Sequence, residues 1–410
     1  MSTAFHCRSC GSASGHQILD LGLQPLANNL LRPEDLLQAE PRFSLRLCVC
    51  ANCWLLQIAD EVPPVKLFTE YLYFSSFSET MLQHARQAAL RYVEEFQLGQ
   101  SSQVIEVASN DGYLLKNFVE RKIPCLGIEP AANIAKVAQA QGIPTRTEFF
   151  GEALARQLVN EGQQADLILG NNVLAHVPNT NDFVQGLRWA LKPQGRIILE
   201  FPYAVDFLDR CEFDTIYHEH VFYFTLTALQ PLFERHQLSI VRVERLPIHG
   251  GSLRLFAAHP GSCPVDSSVP DLLQDEARRG IGSLGHYQSF AARVLALKTE
   301  LNRLLRQFQQ QGKTVAAYGA SAKGSTLLNF FELGPDLIQF VVDRSTYKQG
   351  RLTPGMHLPI YPTERLVEKR PDYTLLLTWN FAEEIMRQQK AYLDLGGKFI
   401  VPIPKLEILP

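Results

Sequence analysis

The sequence predicts an α/β protein built from three units, and three observations carry that reading. Two CxxC pairs sit within the first 65 residues, a zone of turn-formers with little helical periodicity. From about residue 75 to 260, short apolar runs alternate with helical patterns, the signature of a parallel sheet with helical crossovers. The alternation restarts at Thr314, after a helical stretch over residues 278–310 with an apolar core at residues 291–297. The expected boundaries are 1–65, 66–265 and 266–410.

In the middle unit the apolar runs at 104–107, 126–129, 166–169 and 196–200 predict buried strands. Helical patterns at 113–121, 131–141 and 180–191 fall between them. The runs at 238–243 and 253–258 read as a closing pair around the Gly250-Gly251 turn. In the last unit, strands are expected at 314–318, 338–342, 373–377 and 398–401, with helices at 325–331 and 381–389. This is a second doubly wound unit, smaller than the first.

Composition narrows the function. The chain has 410 residues, 46% hydrophobic and 20% charged, which suits a globular protein with more than one core. A net charge of −3 disfavours a basic nucleic-acid binder. No apolar run approaches the roughly 18–20 residues that span a bilayer. The first residues lack a charged and apolar leader pattern, so the expected compartment is the cytoplasm.

Five of the eight cysteines precede Trp54. Cys7 and Cys10 form one pair, Cys50 and Cys53 another, with 39 residues between Cys10 and Cys50. Two such knuckles can set four thiolates in a tetrahedron around zinc, and Gly11 suits the tight turn of the first. With four protein ligands the metal has no open position, so its expected role is structural. Cys48 is close enough in sequence to compete. Cys125, Cys211 and Cys263 are isolated and expected to be packed.

Two loops have the texture of nucleotide sites. In Val104–Tyr113, Glu106 stands near a strand end and is followed by the small-residue turn Ala108-Ser-Asn110-Asp111-Gly112. Glu129 ends the next strand, about 20 residues on, where an acid can hydrogen-bond ribose hydroxyls. Asn171 follows a third strand. The set can serve NAD or S-adenosylmethionine, and the absence of GxGxxG disfavours NAD. The second loop, Ala316–Thr326, leads from a strand into a helix. Its small residues and helix N-terminus suggest an anion cradle, with Lys323 as a point charge for a diphosphate. It is not a P-loop, because Ser325 stands where the lysine of GxxxxGK[ST] belongs. Ser252 and Arg254 are placed across from it, and Asn380 beside the same cleft.

Tyr217, His218, Glu219 and His220 are consecutive. A core strand would not carry three ionisable side chains in a row without partners, so the reading is a loop presenting acid–base groups to a cleft.

These residues also carry a resemblance. The chain resembles the sugar-nucleotide C-methyltransferases of deoxysugar pathways over nearly its whole length. The matching motifs are Leu19–Asn28, Tyr71-Leu-Tyr73-Phe-Ser-Ser76, Asn110-Asp-Gly112 and Asn172–Val177. They continue with Tyr217–His220, Gly250–Arg254, Tyr318–Gly324, Asp343, Lys348–Gly350, Pro354-Gly355 and Trp379-Asn380. Ala108 departs from the pattern, standing where a glycine is usual.

The resemblance implies a Rossmann-like methyltransferase domain flanked by an N-terminal zinc-binding domain and a C-terminal Rossmann-like domain that helps hold the substrate. It implies S-adenosylmethionine as methyl donor and a nucleoside-diphosphate 4-keto-6-deoxyhexose, dTDP-linked, as acceptor. The methyl goes to a carbon α to the ketone through an enolate. Tyr217, Glu219, His220, His176 and Tyr71 carry over as catalytic, with His220 the chosen base, and Tyr73 as a substrate contact. Two other readings remain at this stage. One is an O- or N-methyltransferase of another small metabolite. The other is an inactive zinc-containing binding protein. A monomer is expected, since three units can bury their own apolar faces.

Overall fold

The computed structural model describes residues 5–63, 75–77 and 79–410. In chain order its strands are β1 (Gly15–Pro25), β2 (Arg42–Cys50), β3 (Leu56–Ile58), β4 (Val104–Val107), β5 (Cys125–Ile128), β6 (Thr145–Arg146), β7 (Ala165–Asn171) and β8 (Leu191–Pro202). They continue with β9 (Phe222–Tyr223), β10 (Ser239–Leu246), β11 (Ser252–Ala258), β12 (Val315–Tyr318), β13 (Val341–Val342), β14 (Ile360–Tyr361), β15 (Tyr373–Leu376), β16 (Lys398–Val401) and β17 (Glu407–Leu409).

These strands form three sheets. The central one has the order β10-β11-β8-β7-β4-β5-β6. Its strands β4 to β8 are parallel, and β11 and β10 close one edge antiparallel. All four residues of β4 are buried, as expected of a parallel strand covered on both faces. The chain runs outward from β4 to β6 and then crosses back to β7. That reversal opens a crevice at the carboxyl ends of β4 and β7, where doubly wound sheets bind their ligands.

The C-terminal sheet, β14-β13-β12-β15-β16-β17, is parallel except for its last pair. The N-terminal sheet is antiparallel, and its order β1-β2-β3-β9 recruits a strand from the middle of the chain. Leu56 faces Tyr223 and Gln57 faces Phe222 across that seam.

Two helical expectations change. A separate helix, Ser268–Arg279, precedes the one expected at 278–310, which begins at Leu284 and runs to Gln310. Gly280, at φ 84, ends the first in the left-handed conformation that glycine adopts without penalty. The longer helix buries Tyr287, Phe290, Val294, Leu297, Leu301, Leu305 and Phe308, steps of three and four that line one face. The helix expected at 113–121 shrinks to Lys116–Val119, because Ala108, Asn110 and Gly112 all take positive φ and wind the chain in tight turns first.

One apolar cluster with residues from Cys7 to Ile403 is shared by all three sheets, and a second one, around Tyr92, Val104, Phe118, Leu167 and Ile198, belongs to the central sheet. Trp54 stacks on Tyr287 at 6.0 Å, and Phe207 packs on Phe290 at 4.9 Å. Among the described residues no helix is long and apolar enough to cross a membrane.

Candidate active site

The four thiols Cys7, Cys10, Cys50 and Cys53 converge, all their sulfur atoms lying within 4.8 Å of one another. Each knuckle turns on a left-handed residue just past its second cysteine, Gly11 at φ 75 and Trp54 at φ 59. The amides of those residues donate back to the carbonyls of Cys7 and Cys50. Hydrogen bonding by Cys53 draws the Cys7 thiol down to about 5 against the opposing effect of burial. Four convergent sulfurs fit tetrahedral zinc. Cys48 stands outside the group, and burial pushes its thiol up to about 11.

The crevice at β4 and β7 is lined by Ala108, Asn110, Tyr113, Glu129, Asn171 and His176, with Ile128, Phe149 and Phe150 among its apolar walls. Glu129 is oriented by backbone donors. Its Oε2 accepts from Asn110 N at 3.0 Å and its Oε1 from Ala131 N at 2.9 Å. Each oxygen keeps a lone pair for a ribose hydroxyl. The apolar walls offer an adenine its faces, so the residues fit S-adenosylmethionine.

Three residues expected at the cofactor do not line this crevice. Glu106 is fully buried, and neither carboxylate oxygen has a hydrogen-bond partner among the described residues. Burial, then the nearby Glu129 and Asp111, hold its pKa well above the usual carboxylate range. Asp111 Oδ2 accepts from Ser76 N at 3.2 Å, as Asn110 Oδ1 does from Ser75 N at 2.9 Å. Gly112 is needed for close packing, since a Cβ there would lie 2.2 Å from Ile143 Cδ1. Replacing Glu129 by alanine is expected to weaken binding of S-adenosylhomocysteine by roughly 10- to 100-fold in calorimetry, the loss of charge-assisted hydrogen bonds. Unchanged affinity would remove Glu129 from the ribose site.

His176 leads from this crevice to the acid–base cluster. Its ring meets that of His220 edge-on, centroids 4.8 Å apart. His220 Nδ1 lies 3.0 Å from Thr215 O. A carbonyl only accepts, so Nδ1 carries the proton and Nε2 keeps its lone pair. Tyr217 O–H donates to that Nε2 at 2.9 Å. Burial, then His176, hold His220 well below the usual imidazole range, and burial takes His176 to about 4. Both rings are therefore neutral near pH 7. Glu219 accepts from Asn28 Nδ2 with both oxygens, at 2.8 and 3.0 Å. Burial raises it to about 7.

Other expected residues fall elsewhere. Tyr71 and Tyr73 lie outside the described residues. His218 is buried, its Nε2 is 3.2 Å from Ser44 O, and it packs edge-on against Phe43. Arg254 does not face a diphosphate across the junction. Its guanidinium donates to Glu200 Oε2 at 2.9 and 3.1 Å, and the side chain is 5% exposed. Glu200 in turn meets His84 at 2.7 Å. The Ser252 hydroxyl donates to Ile248 O.

The expected anion cradle is largely self-satisfied. Ala320 N donates to Asp343 Oδ2 at 2.8 Å and Gly324 N to Ser321 Oγ at 3.0 Å. Lys323 Nζ sits 5.3 Å over the Trp379 ring, within the fields of Glu212 and Asp214. Those carboxylates offset the charge meant for phosphate. Asn380 lies with Trp379, Glu383, Glu384 and Arg387 around a separate shallow pocket.

Sequence reasoning missed Glu212 and Asp214. Both are buried, and burial raises both, Glu212 to about 7. The only signal was two acids in the apolar run Cys211–Ile216.

Comparison with known proteins covers almost the whole chain. A family model described as "C-methyltransferase C-terminal domain" matches residues 247–404. One described as "Methyltransferase domain" matches 81–243, and one described as "Putative zinc binding domain" matches 7–68. The C-methyltransferase NovU of Streptomyces niveus is 37% identical over 405 residues, covering 98% of this chain and 96% of its own. Two solved structures resemble part of the molecule. A magnesium protoporphyrin IX methyltransferase from Synechocystis PCC 6803 covers 43% of this chain and 79% of its own at 15% identity, TM-score 0.34. An S-adenosylmethionine-dependent methyltransferase from Clostridium acetobutylicum covers 44% of this chain and 92% of its own at 11% identity, TM-score 0.36.

Proposed function

This chain belongs to the C-methyltransferase family, and from that premise we propose that it methylates a carbon α to the ketone of a nucleoside-diphosphate 4-keto-6-deoxyhexose, with dTDP as the carrier. The observation that carries the reading is the His220 tautomer. A neutral imidazole with a free-base Nε2, next to the cofactor crevice through His176, suits removal of a proton from a carbon acid.

S-adenosylmethionine, when bound, supplies an electrophilic methyl and a thioether leaving group. The protein's part is the proton and the geometry. His220 Nε2 takes the α proton, and the C–H electron pair moves into the enolate, whose carbon then bonds the methyl. Tyr217 O–H donates to Nε2 in the resting site; in this reading it turns to the enolate oxygen as charge develops, which leaves the Nε2 lone pair to the substrate proton. Burial excludes water from the enolate, and positioning lowers the remaining barrier. The units 1–65, 66–265 and 266–410 are proposed to divide the work as metal-stabilised scaffold, methyl-transfer domain and substrate-side domain.

The experiment is mass spectrometry of products from a panel of nucleoside-diphosphate 4-ketohexoses with S-adenosylmethionine in heavy water. One added methyl on the product, together with deuterium at the α carbon of recovered unmethylated substrate, supports the reading. Methyl gain on a hydroxyl or amine without exchange would turn it toward O- or N-transfer. Neither gain, with cofactor still bound, would remove the sugar.

A pH consequence follows with a definite sign. A base works in its neutral form, above its pKa, and a depressed pKa moves the acid limb downward. The acid limb of kcat/KM is expected well below the ordinary imidazole value of about 6.5. A limb at 6.5 or above would show that the working base is not this buried pair.

A further inference from the structure

The C-terminal unit reaches the proposed base without touching it. The segment from Glu212 to His220 is gripped from that side at three points. Trp379 Nε1–H donates to Asp214 Oδ2 at 2.7 Å, both side chains being buried. The Thr326 hydroxyl lies 3.1 Å from Ile216 O and 3.3 Å from Ala322 O in its own helix, sharing one proton between them. Phe213 stacks on Phe331 at 4.7 Å.

Asp214 and Ile216 bracket Thr215. The Thr215 carbonyl accepts from His220 Nδ1 at 3.0 Å and from the Tyr223 hydroxyl at 3.0 Å. Its direction therefore decides which ring nitrogen of His220 holds the proton. Turning that carbonyl away would leave the Tyr217 contact as the ring's polar anchor and free the proton to move to Nε2.

We propose that Trp379, through Asp214, and Thr326, through Ile216, are positioning residues that fix the Thr215 carbonyl and so hold His220 in the tautomer with an unprotonated Nε2. This rests on the reading of His220 as the base. It gives the C-terminal unit a part in the chemistry besides any contact with substrate. The indole matters as a donor, since phenylalanine fills most of the same space and offers no N–H.

The test uses the full-length protein with nitrogen-15-labelled histidine. The His220 signals are assigned by their loss in His220→Asn. In Trp379→Phe, the protonated signal is expected to shift from Nδ1 toward Nε2. The accompanying kcat is expected to fall roughly tenfold, part of what a positioned base contributes, with KM for the acceptor unchanged. Asp214→Asn keeps an oxygen for the indole, so it should retain the native nitrogen pattern. Thr326→Val should reproduce the shift in a smaller degree, and Thr326→Ser should not.

A native Nδ1–H pattern in both Trp379→Phe and Thr326→Val would overturn the proposal. So would a Trp379→Phe defect confined to KM, which would make the indole a substrate contact. Failure of the underlying reading looks different. In that case His220→Asn would keep native α-proton exchange, whatever the tautomer in the other variants.

Discussion

Replacing His220 by asparagine is expected to lower methyl transfer by roughly 10²- to 10⁴-fold, the range of a positioned general base. Exchange of the α proton with solvent is expected to fall with it. Asparagine suits the test because its amide N–H can still reach the Thr215 carbonyl, while nothing in it accepts a proton at the Nε2 position. The loop should therefore keep its shape. The cofactor crevice touches His176 rather than His220, so S-adenosylhomocysteine affinity should stay near native. The diagnostic pattern is intact cofactor binding and intact folding with both exchange and transfer lost. Loss of transfer with exchange at the native rate would assign His220 to a later step and leave the base to another group.

Removing the metal, by chelation or by Cys50→Ser, is expected to unfold the N-terminal sheet. Structural zinc contributes an apparent free energy of about 10–16 kcal/mol at neutral pH in small domains. Whole domains are stable by about 5–15 kcal/mol, so the loss is not absorbed locally. Activity should disappear as well. The route is β3, which pairs with β9, and β9 begins two residues after His220. Metal analysis should find one zinc per chain. Hydrogen exchange in the stripped protein should rise at Gly15–Ile58 first and then across Tyr217–Tyr223. Protein free of zinc with native stability and turnover would show that the four thiols hold the fold without it.

What could be read beforehand was whatever the chain encodes over short spans. The strand Val104–Val107 and the acid Glu129 one crossover later follow from apolar runs and their spacing, and both stand where expected. The cysteine pairs were legible because metal geometry needs a fixed local spacing. Partnerships between distant residues were not legible. Arg254 looked like an anion ligand because its charge shows in the sequence and its partner Glu200 does not. The same holds for Lys323, whose neighbours Glu212 and Asp214 lie more than a hundred residues away. Backbone groups were the other blind spot. The Thr215 carbonyl sets the state of His220, and a carbonyl has no letter of its own.

The recruitment of β9 into the N-terminal sheet also orders events on the ribosome. When Ile58 has left the exit tunnel, β3 still shows a bare edge of unpaired amides and carbonyls. The strand that covers it comes only after roughly 160 more residues, a delay of about 10–30 s at ordinary translation rates. During that interval the nascent chain carries a metal-ready knuckle pair beside an open template for mispairing. A ribosome stalled shortly before codon 222 would hold the chain at its most adhesive, and one stalled well beyond it would not.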